Sequence, residues 1–456
     1  MSISPLDSAL FGNLLSDSGS RALFQDAAQI RAMLRFEAAL ALAEADCGVI
    51  PKAAAAAIAN SAETLEIEPG RLAEGSERDG LPVPALVAAL REAVGEGAAN
   101  GEAASGEAAS GEAAHYVHWG ATSQDVMDTA LVLRLRDLLA LHEGRLAGLG
   151  TLLADLADRE RHQVMLGRTR SQQAAPTSFG LKAAGWLASL TELREQLFQL
   201  RPRLLRLSFG GAVGTLSVLG DRAEAVERSL AARLDLAVAP LPWHSRREAI
   251  LELGGWLSQV TAALGKMGLD LSLLAQSEVG EVRLRGGGSS TLPNKVNPIS
   301  AESLIALARF NAAQLSALHQ AALQEQERGG PGWTLEWMTL PLLACATGGA
   351  LQAATSCLSG LEVQGERMRA NLEAARGLPY AEAASFALSE FLPRAEAQAA
   401  VKAACQRALA GQRDLLDELS ETTDAPVDWA ALREPGALLG AADAFIDRAL
   451  AAWRAS

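Results

Sequence analysis

The sequence predicts an all-α fold, on three observations. Forty-nine per cent of the 456 residues are hydrophobic but only 4% are aromatic. Ala and Leu dominate, and such small or unbranched side chains lose little freedom in a helix and let helices pack closely. From Ile250 to Leu274, the residues Ile250, Leu253, Leu257, Val260, Leu264, Met267, Leu271 and Leu274 recur in alternating three- and four-residue steps, the pattern of one buried seam in a bundle. Long apolar stretches of this kind flank polar, glycine-rich segments such as Arg285 to Glu302.

At this length two or three domains are expected. Residues 1–114 read as an N-terminal helical domain, 115–361 as a central domain of long helices, and 362–456 as a small C-terminal helical domain. Gln25 to Val49 forms the first long helix, with Ile30, Met33, Leu34, Phe36, Leu40 and Leu42 on its apolar face and Gly48 and Pro51 near its end. The stretch from Gly80 to Val94 opens with prolines suited to a helix entry. Gly95 to Ala114, GEGAANGEAASGEAASGEAA, is a low-complexity insertion that cannot build a core. Ser300 to Gln326 reads as another long helix, and ERGGPGWTLEWMTLP, Glu327 to Pro341, as a break in it that carries Trp333, Glu336 and Trp337. No charged residue occurs from Trp337 to Leu361, but Pro341, Gly348 and Gly349 interrupt that run. A helix buried in a bundle is expected there rather than a membrane span.

Lys and Arg total 40 against 54 Asp and Glu, a formal charge of −14, which argues against binding a nucleic-acid backbone. A small anionic substrate would need a locally positive pocket. Cys47, Cys345, Cys357 and Cys405 are scattered without metal-ligand spacing and read as reduced, buried thiols. The start, MSISPLDSALFG, lacks the basic end and apolar core of a secretion signal; a cytoplasmic protein is expected.

Three polar stretches carry the chemistry. In RGGGSSTLPNKVNPISAE, from Arg285 to Glu302, three glycines allow backbone angles closed to other residues. Ser289, Ser290 and Thr291 follow, then a cation at Lys295 and a neutral donor at Asn297, while Pro293 and Pro298 stiffen the chain. In HYVHWGATSQD, from His115, His118 precedes the hydroxyls of Thr122 and Ser123, and Ser123 or Asp125 could cap the helix that follows. The third is LGRTRSQQAAPTSFG, Leu166 to Gly180, with Thr169, Arg170 and Gln173.

GSSTLPNKVNP resembles the signature loop of the fumarase/aspartase superfamily. The resemblance extends over nearly the whole chain apart from Gly95 to Ala114. It implies that Ser289 exchanges a proton with the carbon beside a substrate carboxylate, while Lys295 and Asn297 hold that carboxylate. Removing such a proton builds charge on the carboxylate, which donors placed in advance stabilise. By the same resemblance His118 contributes to catalysis, and Thr122, Ser123, Thr169, Gln173 and Ser290 bind substrate. Many members of the superfamily carry a histidine after the Thr of the third motif; here Arg170 stands there. An arginine holds its proton at neutral pH and cannot protonate a departing amine, but it suits a carboxylate that leaves or attacks as an anion. HWGATSQD, SFGGAVGTLSVLGD (Ser208 to Asp221) and LPWHSRREAI (Leu241 to Ile250) are closest to the cycloisomerase branch, which lactonises 3-carboxy-cis,cis-muconate to 4-carboxymuconolactone in protocatechuate catabolism; His244 and Arg247 are candidates of second rank.

The resemblance further implies a three-domain fold whose long helices assemble from four subunits into a twenty-helix core, with each active site shared between subunits. A small polycarboxylate is the expected partner, and no cofactor, metal, nucleic acid or membrane is expected. The rival readings are an adenylosuccinate-type C–N lyase that releases fumarate, against which Arg170 and HWGATSQD speak, and a non-catalytic helical tetramer, disfavoured by the intact Ser289, Lys295 and Asn297.

Overall fold

The structure, a computed structural model, describes residues 4–99, 112–288, 291, 292 and 294–456. Ser289, Ser290 and Pro293 of the signature loop, and most of the Gly95 to Ala114 insertion, lie outside the described residues. The chain is all-α as expected. Its five longest helices are α1 (Ser123–Arg159), α2 (Phe179–Leu204), α3 (Glu248–Leu274), α4 (Ile299–Ala321) and α5 (Gly330–Ser359). Among the described residues, sheet is confined to three two-stranded antiparallel pieces. All eight seam residues from Ile250 to Leu274 are buried, so the alternating three- and four-residue spacing does define the inward face of α3.

The chain divides into two compact units. The first comprises residues 1–144, 196–259 and 309–349, and the second 145–195, 260–308 and 350–456. In the first, helix Asp26–Asp46 packs against helices Lys52–Thr64 and Ala223–Leu234. Its Met33, Leu34, Phe36 and Leu40 join Ile58, Leu86, Leu90, Val126 and Val132 in one core, and Leu42 is half-buried against them. Local sequence punctuates these helices. Pro69 opens helix Pro69–Asp79, where a missing N–H costs nothing, and Gly80 closes it at φ 77°. Helix Val83–Ala99 runs on into the start of the low-complexity insertion, and Ala113, near its end, is buried in the core.

One boundary differs from the expectation. Glu327 to Pro341 does not break the helical run throughout, because α5 begins at Gly330 and continues through Pro341. Pro331 falls in the first turn, where its ring fits the helical φ, so the interruption is confined to the residues between Ala321 and Gly330. The apolar stretch of α5 is long enough to cross a bilayer, and 61% of its most apolar window is buried within the protein. Its paired glycines have a local reason: a Cβ on Gly349 would strike the backbone of Leu15 and Ser16. The four cysteines are free. Burial pushes the Cys345 thiol up to about 12 and that of Cys357 to about 11, so neither forms a thiolate near neutral pH.

In the second unit a separate core gathers Leu166, Leu372, Leu388, Val401, Leu415, Leu416 and Leu419. The expected short C-terminal helices are present, among them Ala381–Leu388 and Ala442–Ala455. Two of the three small sheets carry polar motifs. Strands Val164–Thr169 and Gln172–Ser178 form a hairpin, and Gly287–Gly288 pairs with Val296–Asn297 at the neck of the signature loop.

Candidate active site

In the first unit the site is built around Asp125. Thr122 lies immediately before α1, and Asp125 is the third residue of the helix, so its carboxylate can reach back to the orphan N–H of Thr122. It does so at 2.9 Å through Oδ2, which also accepts the N–H of Gly211 at 3.0 Å. Oδ1 accepts the N–H of Gly210 at 2.8 Å and meets His244 Nε2 at 2.6 Å. The carboxylate is fully buried, and these four partners replace the water it gives up. Glycine is required opposite it. Gly211 adopts φ 66°, and a Cβ on Gly210 would press on Pro242 and His244. One carboxylate thus ties SFGG and PWHS to the start of α1. The hydroxyls of Thr122 and Ser123 are half-buried and have no partner among the described residues, which leaves them open to a ligand.

Behind this lies a buried ionic network. Arg247 donates through Nε and Nη2 to Glu336 at 2.9 and 2.5 Å, and through Nη1 and Nη2 to Asp128 at 2.8 and 3.1 Å, with the Trp243 ring 4.8 Å from its guanidinium carbon. Burial alone would lower the Arg247 pKa, but the two carboxylates outweigh it and raise it. Gln124 extends the network, donating from Nε2 to Asp128 at 3.1 Å and to the His244 carbonyl at 2.8 Å, while its Oε1 accepts from Arg328 at 2.9 Å. His244 and Arg247, both substrate-binding candidates, are each 4% exposed or less; His244 meets Asp125 through Nε2 and the Arg247 guanidinium is taken up by Glu336 and Asp128.

His118 sits in a left-handed backbone conformation, φ 64°, uncommon for a residue with a Cβ. Its Nδ1 lies 2.6 Å from Oε1 of Glu37. The ring borders a cleft of about 580 Å3 shared with Arg91, His115, Trp119, Gly120 and Val218.

The second unit holds the other motifs. Thr169–Arg170–Ser171–Gln172 closes the hairpin with a two-residue turn, and Arg170 and Ser171 both have positive φ, 50° and 64°. This turn matches the twist of the strands but normally favours Asn or Gly. Arg170 therefore lies at a hairpin tip. Thr169, Arg170 and Gln173 are all exposed. In the signature loop, Gly287 pairs with Asn297, and a Cβ on Gly286 would collide with the Asn297 carbonyl. Lys295 is exposed and Asn297 half-buried. A cleft of about 690 Å3 lies against Arg283, Arg285, Asn294, Val296 and Pro298.

Glu281 anchors both motifs. It is wholly buried, receives Arg168 Nη1 and Nη2 at 2.8 and 2.7 Å, and accepts from Asn371 Nδ2 at 2.9 Å. Arg168 belongs to the hairpin strand, Glu281 leads into the loop, and Asn371 lies on helix Gly365–Ala374. Hairpin root and loop root are thereby fixed to each other.

The fold thus gathers His118, Thr122, Ser123, His244 and Arg247 in the first unit and Thr169, Arg170, Gln173, Lys295 and Asn297 in the second. Asp125, Gln124, Asp128, Glu37, Arg168 and Glu281 were not singled out as site residues from sequence. The spacing of Asp125 from Thr122 suited a reciprocal cap, and Glu37 and Glu44 are acids set in an apolar helix face; these were the available signals.

A family model described as "Lyase" matches residues 15–310. The chain is 43% identical over 451 residues to the 3-carboxy-cis,cis-muconate cycloisomerase of Pseudomonas aeruginosa, covering 97% of this chain and 96% of that protein. It is 40% identical over 452 residues to the protein of the same name from Bradyrhizobium diazoefficiens, covering 97% and 98%. Among solved structures it matches 3-carboxy-cis,cis-muconate lactonizing enzyme from Pseudomonas putida with a TM-score of 0.90 and 39% identity, over 98% of this chain and 99% of that one. The chain belongs to this lyase family, the fumarase/aspartase superfamily anticipated from its three motifs.

Proposed function

We propose that this protein is a 3-carboxy-cis,cis-muconate cycloisomerase, converting its substrate to 4-carboxymuconolactone in protocatechuate catabolism. Near-full-length identity of 40% and 43% to two cycloisomerases carries this reading, and an arginine at position 170 agrees with it. In the reaction one substrate carboxylate oxygen attacks an alkene carbon, forming the C–O bond of the lactone. Charge moves onto the conjugated carboxylate, and a proton from Ser289 completes the new C–H bond at the neighbouring carbon. Lys295, Asn297, Thr122 and Ser123 hold the carboxylate on which charge develops. Arg170 steers the attacking carboxylate by a charge-assisted pair. Asp125 and the buried Arg247 network support the Thr122–Ser123 segment without touching substrate, and Glu281 does the same for the hairpin and loop.

Arg170, Arg283, Arg285 and Lys295 are exposed and no ion pair among the described residues engages them, so these cations remain available to a polyanion on a chain whose formal charge is −14. We read the working form as a cytoplasmic homotetramer with sites shared between subunits. The decisive experiment follows the loss of the conjugated-diene ultraviolet absorbance when purified protein meets 3-carboxy-cis,cis-muconate. Faster release of fumarate from adenylosuccinate than loss of the diene would overturn the assignment in favour of a C–N lyase.

A further inference from the structure

Two buried acids behind His118 are used by none of the chemistry above. Glu37 and Glu44 lie seven residues apart on helix Asp26–Asp46, two turns along one face. Glu37 is 1% exposed and Glu44 not exposed at all. Glu37 Oε1 meets His118 Nδ1 at 2.6 Å, while its Oε2 and both oxygens of Glu44 have no hydrogen-bond partner among the described residues. Two buried carboxylates on one helix face with one nearby base cannot both stay charged cheaply. The charge belongs on the acid that has a cation, and the other acid keeps its proton.

We propose that Glu37 is a positioning residue that holds His118 as a cation facing its cleft, and that Glu44 is kept neutral beside it so that the charge is not duplicated. The strained turn agrees with this: at φ 64° the His118 backbone is held against its preference, and a 2.6 Å contact to a fixed carboxylate is the kind of constraint that maintains such a conformer. The charges around the ring are accounted for. Asp125 at the start of α1 adds to the effect of Glu37, and Arg91 on helix Val83–Ala99 opposes it. Burial also opposes it and is the largest single influence, yet the acids prevail and the His118 pKa is raised. For Glu44, burial first and the charge of Glu37 second push the carboxyl up to about 9. A fixed imidazolium beside the Thr122–Ser123 segment would add one more positive group for a polycarboxylate.

The substrate arm of this inference rests on the proposed function; the titration arm does not. The test is an NMR titration of histidine-labelled protein, with the His118 signal assigned by its loss in His118→Gln. The expected midpoint lies above the ordinary histidine value of about 6.5. Glu37→Gln, nearly isosteric, should lower it by about one unit or more, because burial then acts unopposed by its main partner. Glu44→Gln mimics a protonated acid and should leave the midpoint in place. In turnover assays near pH 7, Glu37→Gln should raise KM for the tricarboxylate by roughly ten-fold, the equivalent of one unit. A midpoint at or below the ordinary value in the unaltered protein overturns the proposal even if Glu37→Gln does not fold. So does a Glu44→Gln shift as large as that of Glu37→Gln. Absence of any turnover with carboxymuconate, together with a raised midpoint, would instead sink the assigned reaction and leave the His118–Glu37 pair standing.

Discussion

Arg170 occupies a turn position that ordinarily favours glycine or asparagine, and its φ of 50° marks backbone strain at the tip proposed to steer the attacking carboxylate. Arg170→Gly removes the guanidinium and relaxes the turn at once. The expected outcome is a melting temperature that is unchanged or slightly raised, with kcat/KM lowered roughly 10- to 100-fold, the worth of a charge-assisted hydrogen bond. Loss of activity accompanied by unfolding would contradict this separation. The His118–Glu37 pair gives a pH signature in stability. Because the folded His118 pKa is raised, the stability it contributes is fully present below the unfolded value of about 6.5 and is lost as pH rises through the folded value. Urea unfolding of the wild type and Glu37→Gln should therefore show a wider gap at pH 5.5 than at pH 9. At this scale the resemblance carried by the polar motifs picked out Thr122, Ser123, Arg170, Lys295 and Asn297 as candidates. They did not name Asp125, because an acid in the first turn of a helix reads the same whether it caps only itself or also gathers a distant glycine loop and a histidine.

Among elements, the hairpin and the signature loop depend on a single buried acid. Glu281 holds Arg168 in a two-point grip and Asn371 by a third hydrogen bond. Removing its charge leaves the Arg168 guanidinium without its counterion, the situation that makes breaking one partner of a buried pair costly, on the order of 3–5 kcal/mol. Glu281→Gln should lower stability by an amount of this order, discounted because Arg168 is partly exposed, and should depress kcat by loosening both motifs. Equilibrium unfolding together with steady-state kinetics would detect it; wild-type values on both would show that the grip does not matter. Nothing in the chain order links VGEVR to LGRTRS. Their pairing exists only because two elements separated by more than a hundred residues pack side by side.

For the whole molecule, the exposed apolar residues of the long helices are informative. Leu269 and Leu273 on α3 are 47% and 49% exposed, one turn apart on the face opposite the buried seam. A face of this kind fits the proposed tetramer core. Leu269→Glu with Leu273→Glu should yield smaller species by light scattering and little turnover, while the same pair exchanged for Ala should keep both. If sites are shared between subunits, co-refolding inactive Ser289→Ala with Arg170→Gly should return part of the activity, since some mixed sites inherit both intact motifs. No recovery in verified mixed oligomers would place each site within one subunit.

The sequence by itself determined the helical class, the buried seam of α3, the polar motifs and the family they belong to. The class and the seam depend on residue type and short-range periodicity, which the backbone of a helix converts directly into position, and the family on the resemblance of the motifs to a known signature. Tertiary structure alone decided that Asp125 joins three segments, that Arg247 is spent on Asp128 and Glu336, that Glu281 fastens the hairpin to the loop, and that Glu37 meets His118. Those pairings are long-range choices among many acids and bases of similar local appearance, and only packing, by removing water from one of each set, makes the partner obligatory.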